Sequence, residues 1–168
     1  MQFREKSGQS LTEPVTAAEL KIYIGYNNTD QDSLFADLIT SARQWVENYT
    51  SLSAISKIYE VFFESGDDIN GWFALPIGPV TSITSVQQDG TIVTYEEKGQ
   101  SEYSISPYLA LDWRGLDVVY VAGVSDKIKI LKDAIYDIAT ATWANKGKGM
   151  VITGDVRKKL STIAISAI

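Results

Sequence analysis

Two long segments with helical periodicity, one on each side of a strand-rich region, restrict this chain to a small set of folds. In Asp32–Thr50 the apolar residues recur at intervals of three and four, which places them on one stripe of a helix of about five turns. A second stripe with the same spacing follows residue 125. The predicted core residues on the two stripes are Phe35, Leu38, Ile39, Ala42, Trp45, Val46, Tyr49, Leu131, Ile135, Ile138 and Trp143. Two matched stripes predict helices that pack together as a structural core.

The ends of the helices also have recognisable signals. Thr16 and Glu19 have the spacing of a capping box, which predicts the start of a short N-terminal helix that Gly25 ends in a left-handed conformation. The first long helix can be capped by one of the polar residues in 28–30, because their side chains accept bonds from free backbone N–H groups. The polar residues Asp37, Ser41, Arg43, Gln44, Glu47 and Asn48 fall on its other faces.

Between the long helices the sequence pattern changes to that of strands. Residues 57–64, 80–86 and 116–122 are rich in β-branched and aromatic residues, as strands are. Asp89-Gly90 between two such runs predicts a hairpin turn. The polar segment 96–102 is interpreted as a loop.

These elements predict an α+β fold with segregated helices and strands. We expect a small helical bundle as a base, made of the two long helices and the short N-terminal one, with an inserted antiparallel β-subdomain of about six short strands and a flexible C-terminal tail. The predicted boundaries are a flexible N-terminus at 1–13, a helical base at 14–50 and 124–145, a β-subdomain at 56–123 and a tail at 146–168.

Composition excludes several kinds of chemistry. The 168 residues include no Cys and no His, which removes thiolate metal sites, the commonest general base and the commonest zinc ligand. The N-terminus lacks the apolar region of a secretory signal, and no apolar run reaches the roughly 18 residues of a membrane helix. We therefore expect a soluble protein that is made and used without export and has no membrane contact.

Charge is distributed unevenly along the chain. The net charge is −6, with −10 in residues 1–125 and +4 in residues 126–168. A body this acidic is not expected to hold DNA phosphates, because phosphate binding depends on Lys and Arg. The basic end could contact an acidic partner or remain solvated.

Three patterns resemble chemical sites but lack essential parts. Residues 67–71 lack the ligand spacing and the final Glu of a calcium loop, and residues 146–149 do not follow the phosphate-loop pattern. Glu96, Glu97 and Glu102 lie close in sequence, but loop carboxylates are usually solvated. The sequence therefore predicts no catalytic, metal or cofactor site, and no enzyme activity.

Four stretches, taken in order, resemble the head–tail connector proteins of tailed bacteriophages, also called adaptor or head-completion proteins, in their longer form with a β insertion. They are EPVTAAELK at 13–21, the first long helix with ARQWVENYT at 42–50, LPIGPVTSITSV at 75–86, and VVYVAG at 118–123 directly before the second long helix. The resemblance covers roughly residues 13–144. It implies a structural virion protein without catalysis, which forms a ring, usually of twelve copies, below the portal.

The resemblance also implies partners and a location. Such a ring extends the DNA channel at the head–tail junction of the virion, docks tail or neck proteins, and lets the genome pass without specific binding; assembly takes place in the host cytoplasm. The partners implied are other copies of the chain, the portal protein and the tail. We expect the tail segment to be mobile and to order on the portal or on a neighbouring subunit. The alternative is a last strand or helix that folds back on its own domain. Its predicted interface residues are Lys146, Lys148, Met150, Val151, Ile152, Arg157, Lys158, Lys159, Ile163, Ile165 and Ile168.

Two other classes of function remain open at the level of the sequence. One is a carbohydrate- or peptide-binding β-module on a helical base, for which Trp72, Phe73 and Tyr108 would have to share an exposed face. The other is a small enzyme, which the absence of His and Cys disfavours.

Overall fold

The computed structural model describes residues 1–7, 9, 12–64, 66–67, 72–98, 104–107, 115–123, 128–145 and 148–164. The chain divides into two compact units. The β-rich unit combines Met1–Leu11 with Ile55–Val124, and the helical unit combines Thr12–Ala54 with Ser125–Ala164. Helices and antiparallel strands are segregated, which confirms the predicted α+β class.

Four helices form the described part of the helical unit. They are α1 (Ala17–Ile24), α2 (Asp32–Thr50), α3 (Ile128–Ala144) and α4 (Gly154–Ser161). The two long helices, α2 and α3, pack together; α1 and α4 each contact both of them. None of the helices in these ranges has the length and apolar character that crossing a bilayer needs.

The signals at the ends of α1 behave as the sequence predicts. The Thr16 hydroxyl accepts a bond from the backbone N–H of Glu19 at 3.1 Å, and the Glu19 carboxylate accepts one from the backbone N–H of Thr16 at 2.7 Å. Gly25 follows the helix with φ 72°, where an L side chain would be strained. The capping box and the left-handed end of α1 are therefore confirmed.

The start of α2 differs from the prediction. Its N-cap is Gln31, whose side chain makes no capping hydrogen bond. Asp30, one of the predicted caps, instead accepts a 2.7 Å hydrogen bond from the Tyr26 hydroxyl. Asp32, in the first turn, accepts a 2.6 Å bond from the Lys21 ammonium, which ties α1 to α2. A side-chain contact between the helices thus takes the place of a local cap.

Most of the predicted core residues of α2 and α3 are buried. The buried ones are Phe35, Ile39, Ala42, Val46, Leu131, Ile135 and Ile138. Leu38, Trp45 and Trp143 are half-buried. Tyr49, which we predicted in the core, is 37% exposed and stacks on Trp45 with ring centroids 5.0 Å apart. The apolar stripe predicted from the sequence therefore does not coincide fully with the buried face of α2.

The β-rich unit contains two antiparallel sheets in its described part. The larger sheet has the strand order β1 (Gln2–Glu5), β2 (Lys57–Glu64), β8 (Gly115–Ala122), β4 (Val80–Gln88) and β5 (Thr91–Ile92). The smaller sheet has the order β3 (Phe73–Ala74), β7 (Ser104–Pro107) and β6 (Tyr95–Lys98). Alternate residues of β2 and β8 form the core of this unit with Phe73, Leu75 and Val86.

The loops and ends of the β-rich unit supply one confirmation and two corrections. Asp89 and Gly90 have φ values of 49° and 77°, and they form the predicted turn between β4 and β5. Tyr95–Lys98 is a strand that pairs with β7, although we assigned 96–102 to a loop. Gln2–Glu5 is also a strand, although we predicted a flexible N-terminus. Backbone pairing to a partner strand orders both segments, and neither has a hydrophobic pattern that could signal it.

In its described part, residues 148–164, the C-terminal segment contains the helix α4, although we predicted a flexible tail at 146–168. The Thr153 hydroxyl accepts a bond from the backbone N–H of Val156 and so caps α4. Val156, Leu160 and Ile163 are buried. Val156 and Leu160, four residues apart, give this short helix a packed face, and buried Ile163 follows its end.

Candidate functional site

The predicted partner-interface residues lie on α4 and on the segment before it. Lys148 is exposed, Met150 is 40% exposed, and Val151 and Ile152 are half-buried. Ile163 is buried and therefore belongs to the packed face of this segment. Lys146, Ile165 and Ile168 lie outside the described residues.

The three basic residues of α4 are exposed, and each has a different environment. Lys159 pairs with Asp137 of α3 at 3.1 Å. The Arg157 guanidinium lies 5.6 Å from the centroid of the Trp45 ring, in the range of a cation–π contact. Lys158 makes no ion pair or hydrogen bond through its ammonium with any residue in the described ranges. We call the exposed set Lys148, Met150, Arg157, Lys158 and Lys159 the basic C-terminal surface.

One carboxylate connects three helices beside this surface. Asp137 accepts hydrogen bonds from the Tyr23 hydroxyl of α1 and from the Lys159 ammonium of α4, each at 3.1 Å. The Tyr23 ring stacks on Tyr136 of α3 with centroids 4.9 Å apart. The hydrogen bond to Asp137 raises the pKa of Tyr23, because it favours the protonated hydroxyl. The polar contact and the stacking together hold α1 and α4 on α3.

A test of this arrangement is the replacement of Leu160 by Ala. Leu160 is fully buried in the helical unit. We expect the change to lower the free energy of unfolding by about 2–3 kcal/mol, since it removes buried methyl groups from a short helix that can relax only partly. Urea denaturation followed by tryptophan fluorescence measures this loss. The exposed neighbour Lys158→Ala is the control, and equal stability of the two variants would mean that α4 is not packed on the core.

A buried network of charged residues lies in the C-terminal half of α2. Arg43 is 4% exposed and donates to Glu47 at 2.6 Å and to Glu13 at 2.7 Å and 3.0 Å. Glu47 also accepts a 2.8 Å bond from the backbone N–H of Ala54. Burial lowers the pKa of Arg43, but the hydrogen bonds and charges of Glu13 and Glu47 outweigh this effect and raise it. The network ties the segment before α1 and the segment after α2 to the long helix.

This network was missed at the level of the sequence, where Arg43 and Glu47 were assigned to the other faces of α2. Their spacing of four residues is a signal for a helical ion pair. That spacing is equally common on solvated faces, so it does not indicate burial. Glu13, which completes the network, is 30 residues away in the sequence. The contact with Glu13 therefore depends on tertiary structure.

Of the patterns that could suggest chemistry, the one at 67–71 has a structural role at Asp67. Asp67 accepts a 2.6 Å bond from the backbone N–H of Glu64 and pairs with the N-terminal ammonium at 2.7 Å. This ammonium and the backbone bond lower the pKa of Asp67. Glu96 and Glu97 lie on β6, while Glu102 and residues 68–71 are outside the described ranges. No group of three or more potential metal ligands occurs in the described part of the chain.

The aromatic residues of the alternative binding function do not form the required exposed face. Phe73 is 1% exposed and packs on Phe63 with ring centroids 5.0 Å apart. Trp72 is half-buried, and Tyr108 lies outside the described residues. Phe73 therefore belongs to the core of the β-rich unit and cannot contribute to an exposed binding face. This disfavours the β-module hypothesis, which requires all three aromatic residues on one exposed face.

The face of the larger sheet opposite this core has a groove of about 440 Å³. It is lined by β1, β2, β8 and β4, including Arg4, Glu60, Phe62 and Asp117. The Phe62 ring lies over Gly115, where a Cβ atom would be only 2.5 Å from it. Arg4 and Glu60 are already paired with each other at 2.7 Å. The groove does not bring several free polar groups to one point, so it gives no indication of a catalytic centre.

No protein-family model and no curated protein matches this chain. Its fold is similar to that of chains in three solved structures. The first is the virion of a native gene transfer agent particle, with a TM-score of 0.78 and 15% identity. The others are the neck of an empty particle of this kind computed with C6 symmetry (TM-score 0.79, 14% identity) and the neck of a native particle computed with C12 symmetry (TM-score 0.71, 14% identity). Each match covers 100% of this chain and 97% of the other, so the likeness extends over the whole fold.

Proposed function

We propose that this chain is a structural protein of a phage-like particle and forms a ring in its neck, between the head and the tail. The observation that carries the proposal is the whole-length similarity of its fold to chains in neck structures, with TM-scores of 0.71 and 0.79. In the proposed role the ring lies below the portal, extends the DNA channel and offers a surface on which the tail docks. The chain acts in the virion, and it is assembled in the host cytoplasm.

A closed ring of identical subunits needs two different patches on each subunit, because each copy contacts one neighbour in front and another behind. The C6 and C12 symmetries of the similar necks support a ring of this kind, and twelve copies fit the C12 symmetry. The basic C-terminal surface is our candidate for a patch that contacts the portal or a neighbouring copy. It lies on an otherwise acidic chain, which favours contact with an acidic partner.

The charge of the chain also suits a channel through which DNA moves. Residues 1–125 have a net charge of −10, and the whole chain has −6. A wall with this charge repels phosphates, so the genome passes without being held. The same charge disfavours a role in DNA binding. The role is a mechanical one, in which the residues supply shape and charge and do not catalyse a reaction.

Binding to the portal tests the proposal in solution. We expect the purified chain to bind the portal protein of the same particle. The complex should sediment faster than the portal ring alone, because several copies of the chain are bound to it. Lys158→Glu should weaken this association at least about tenfold, because it places a like charge against the acidic partner. The control is Lys129→Glu, at an exposed position of α3 outside the basic C-terminal surface. Equal binding by the two variants would show that the basic C-terminal surface is not part of the interface. Absence of any complex would contradict the proposed function.

A further inference from the structure

The first strand of the larger sheet is attached differently from the other strands. All four side chains of β1 are exposed, and Phe3, the largest apolar one, is 51% exposed. The neighbouring strand β2 alternates buried and partly exposed residues and lies in the core. Because β1 buries no side chain, its attachment comes from backbone pairing and charged groups.

Those charged groups match the edge of β2 closely. Arg4 and Lys6 both pair with Glu60, at 2.7 Å and 3.4 Å, and they lower the pKa of this carboxyl group, Arg4 most. Glu5 pairs with Lys57 of β2 at 3.1 Å. At the other end of the strand, the N-terminal ammonium of Met1 pairs with Asp67. The segment therefore has complementary charge pairs at both of its ends, whereas Gln2 and Phe3 between them face the uncharged Phe62 and Val61.

The pairing continues beyond β1 through Gln9. Its side-chain oxygen accepts a 2.7 Å bond from the backbone N–H of Ile58, and its side-chain nitrogen donates to the Ile58 carbonyl at 3.0 Å. The backbone N–H of Lys6 donates to the same carbonyl at 2.9 Å. Residues 1–6 and Gln9 thus bind a strand edge as an added peptide strand does, through main-chain bonds and complementary side chains.

The segment that contains β1 is not continuous in sequence with the rest of its sheet. Met1–Leu11 belongs to the β-rich unit, but the chain then passes into the helical unit at Thr12. The remaining strands of the sheet lie in the separate segment Ile55–Val124. The covalent structure of the β-rich unit therefore does not require β1 to pair with the β2 of its own chain.

We propose that in the assembled ring residues 1–6 and Gln9 pair with the β2 edge of a neighbouring copy. This inference rests on the proposed ring. An identical copy offers the same backbone edge and the same Glu60, Lys57 and Asp67, so the exchange keeps every contact and adds a link between subunits. In the free chain the segment pairs with its own β2, because the tether keeps it at a high effective concentration there. The exchange requires a ring in which the neighbouring β2 edge lies within reach of the same tether.

Engineered cysteines test the exchange, because the chain has no Cys of its own. Gln2 and Phe62 are Cα partners across β1 and β2. One variant carries Gln2→Cys and the other carries Phe62→Cys, with a tag that changes its mass. After the two are mixed and assembled on the portal, a mixed disulfide can form only between different subunits. We expect oxidation to give this mixed species in the ring and not in the dilute, unassembled mixture.

The matched control uses the same Phe62→Cys variant. Asp117 of the central strand β8 is its other Cα partner. Mixing Asp117→Cys with Phe62→Cys should give no mixed disulfide, since β8 cannot leave the sheet without unfolding it. The double variants Gln2→Cys/Phe62→Cys and Asp117→Cys/Phe62→Cys should each form an internal disulfide in the dilute chain, which verifies that the changed proteins fold and that both pairs can react.

The outcomes separate the two proposals. A ring in which the Gln2→Cys variant becomes disulfide-linked to the Phe62→Cys variant supports strand exchange. A ring that assembles normally but gives no more mixed disulfide than the Asp117→Cys control overturns the exchange and leaves the ring intact. Failure to obtain any ring or portal complex, as measured by sedimentation, contradicts the proposed function and the exchange together.

Discussion

Replacement of Gly123 by Ala is expected to destabilise the β-rich unit by about 3–5 kcal/mol, the combined effect of backbone strain and steric overlap. Gly123 ends strand β8 with φ +130°, a region that L side chains rarely adopt. An added Cβ atom would overlap the carbonyl of Ile55 and lie 2.9 Å from the Cα atom of Ser56. The Gly123 N–H also donates to the Pro79 carbonyl at 3.0 Å, so the backbone cannot move away without losing this bond.

Gly25→Ala is the matched control for this change. Gly25 has φ +72°, but a Cβ atom there would meet nothing within 4 Å. It should therefore cost only about 1 kcal/mol, from the backbone conformation alone. Urea denaturation of both variants measures the difference. If Gly123→Ala were no more harmful than Gly25→Ala, the close approach of β8 to Ile55 would not exist as described.

The second large effect is expected for Arg43→Ala, which should lower the free energy of unfolding by about 3–5 kcal/mol. The change leaves the carboxylates of Glu13 and Glu47 without their buried partner, and an uncompensated buried charge is strongly unfavourable. The segments held by the network, before α1 and after α2, should loosen as well. Hydrogen exchange of the Ala54 amide, which donates to Glu47, should become faster.

Arg4→Ala is the control, since Arg4 also pairs with a glutamate but its side chain is 79% exposed. An exposed ion pair is worth less than about 1 kcal/mol, so this change should have a small effect. Neutralising the partners with Glu13→Gln and Glu47→Gln in the Arg43→Ala background should recover part of the lost stability. Similar effects of Arg43→Ala and Arg4→Ala would contradict the burial of the network.

Features with local causes were predictable from the sequence. The capping box at Thr16 and the Asp89-Gly90 turn depend on residues that are neighbours in the sequence, and both occur in the structure. Lys57–Glu64 forms a strand with the predicted bounds, because its β-branched and aromatic residues fit a sheet core. The matched stripes of α2 and α3 likewise follow from helical periodicity.

The rotation of α2 about its axis was not predictable in the same way. Its buried face includes Arg43, Glu47 and Thr50, whereas Tyr49 is exposed. At about 100° per residue, these three positions lie beyond the edge of the apolar stripe that holds Ile39 and Val46, whereas Tyr49 lies in the half of the stripe that holds Leu38 and Trp45. The buried face is therefore turned toward the ion network with Glu13. A hydrophobic pattern assigns charged residues to solvent, so it cannot detect a charged residue that is buried because a distant partner neutralises it.

The ends of the chain were the least predictable parts. Residues 2–5 have no hydrophobic pattern, and they are ordered by backbone pairing and charges that depend on β2. The basic run Arg157-Lys158-Lys159 was interpreted as part of a flexible tail, yet it lies between buried Val156 and Leu160 on a helix. The sequence predicted the exposed basic residues of the basic C-terminal surface as interface residues. It could not predict that Lys159 lies beside Asp137 and Arg157 beside Trp45, because these are tertiary contacts.

Cryo-electron microscopy of the particle that carries this chain, with the reconstruction centred on its neck, tests the proposed function most directly. We expect a ring of copies of this fold between the portal and the tail, with twelve copies if the symmetry is that of the similar native neck. If particles made without the chain lack the ring, the ring consists of copies of this chain. A neck density that this fold does not fit, or a neck that is unchanged when the chain is absent, would contradict the proposed function.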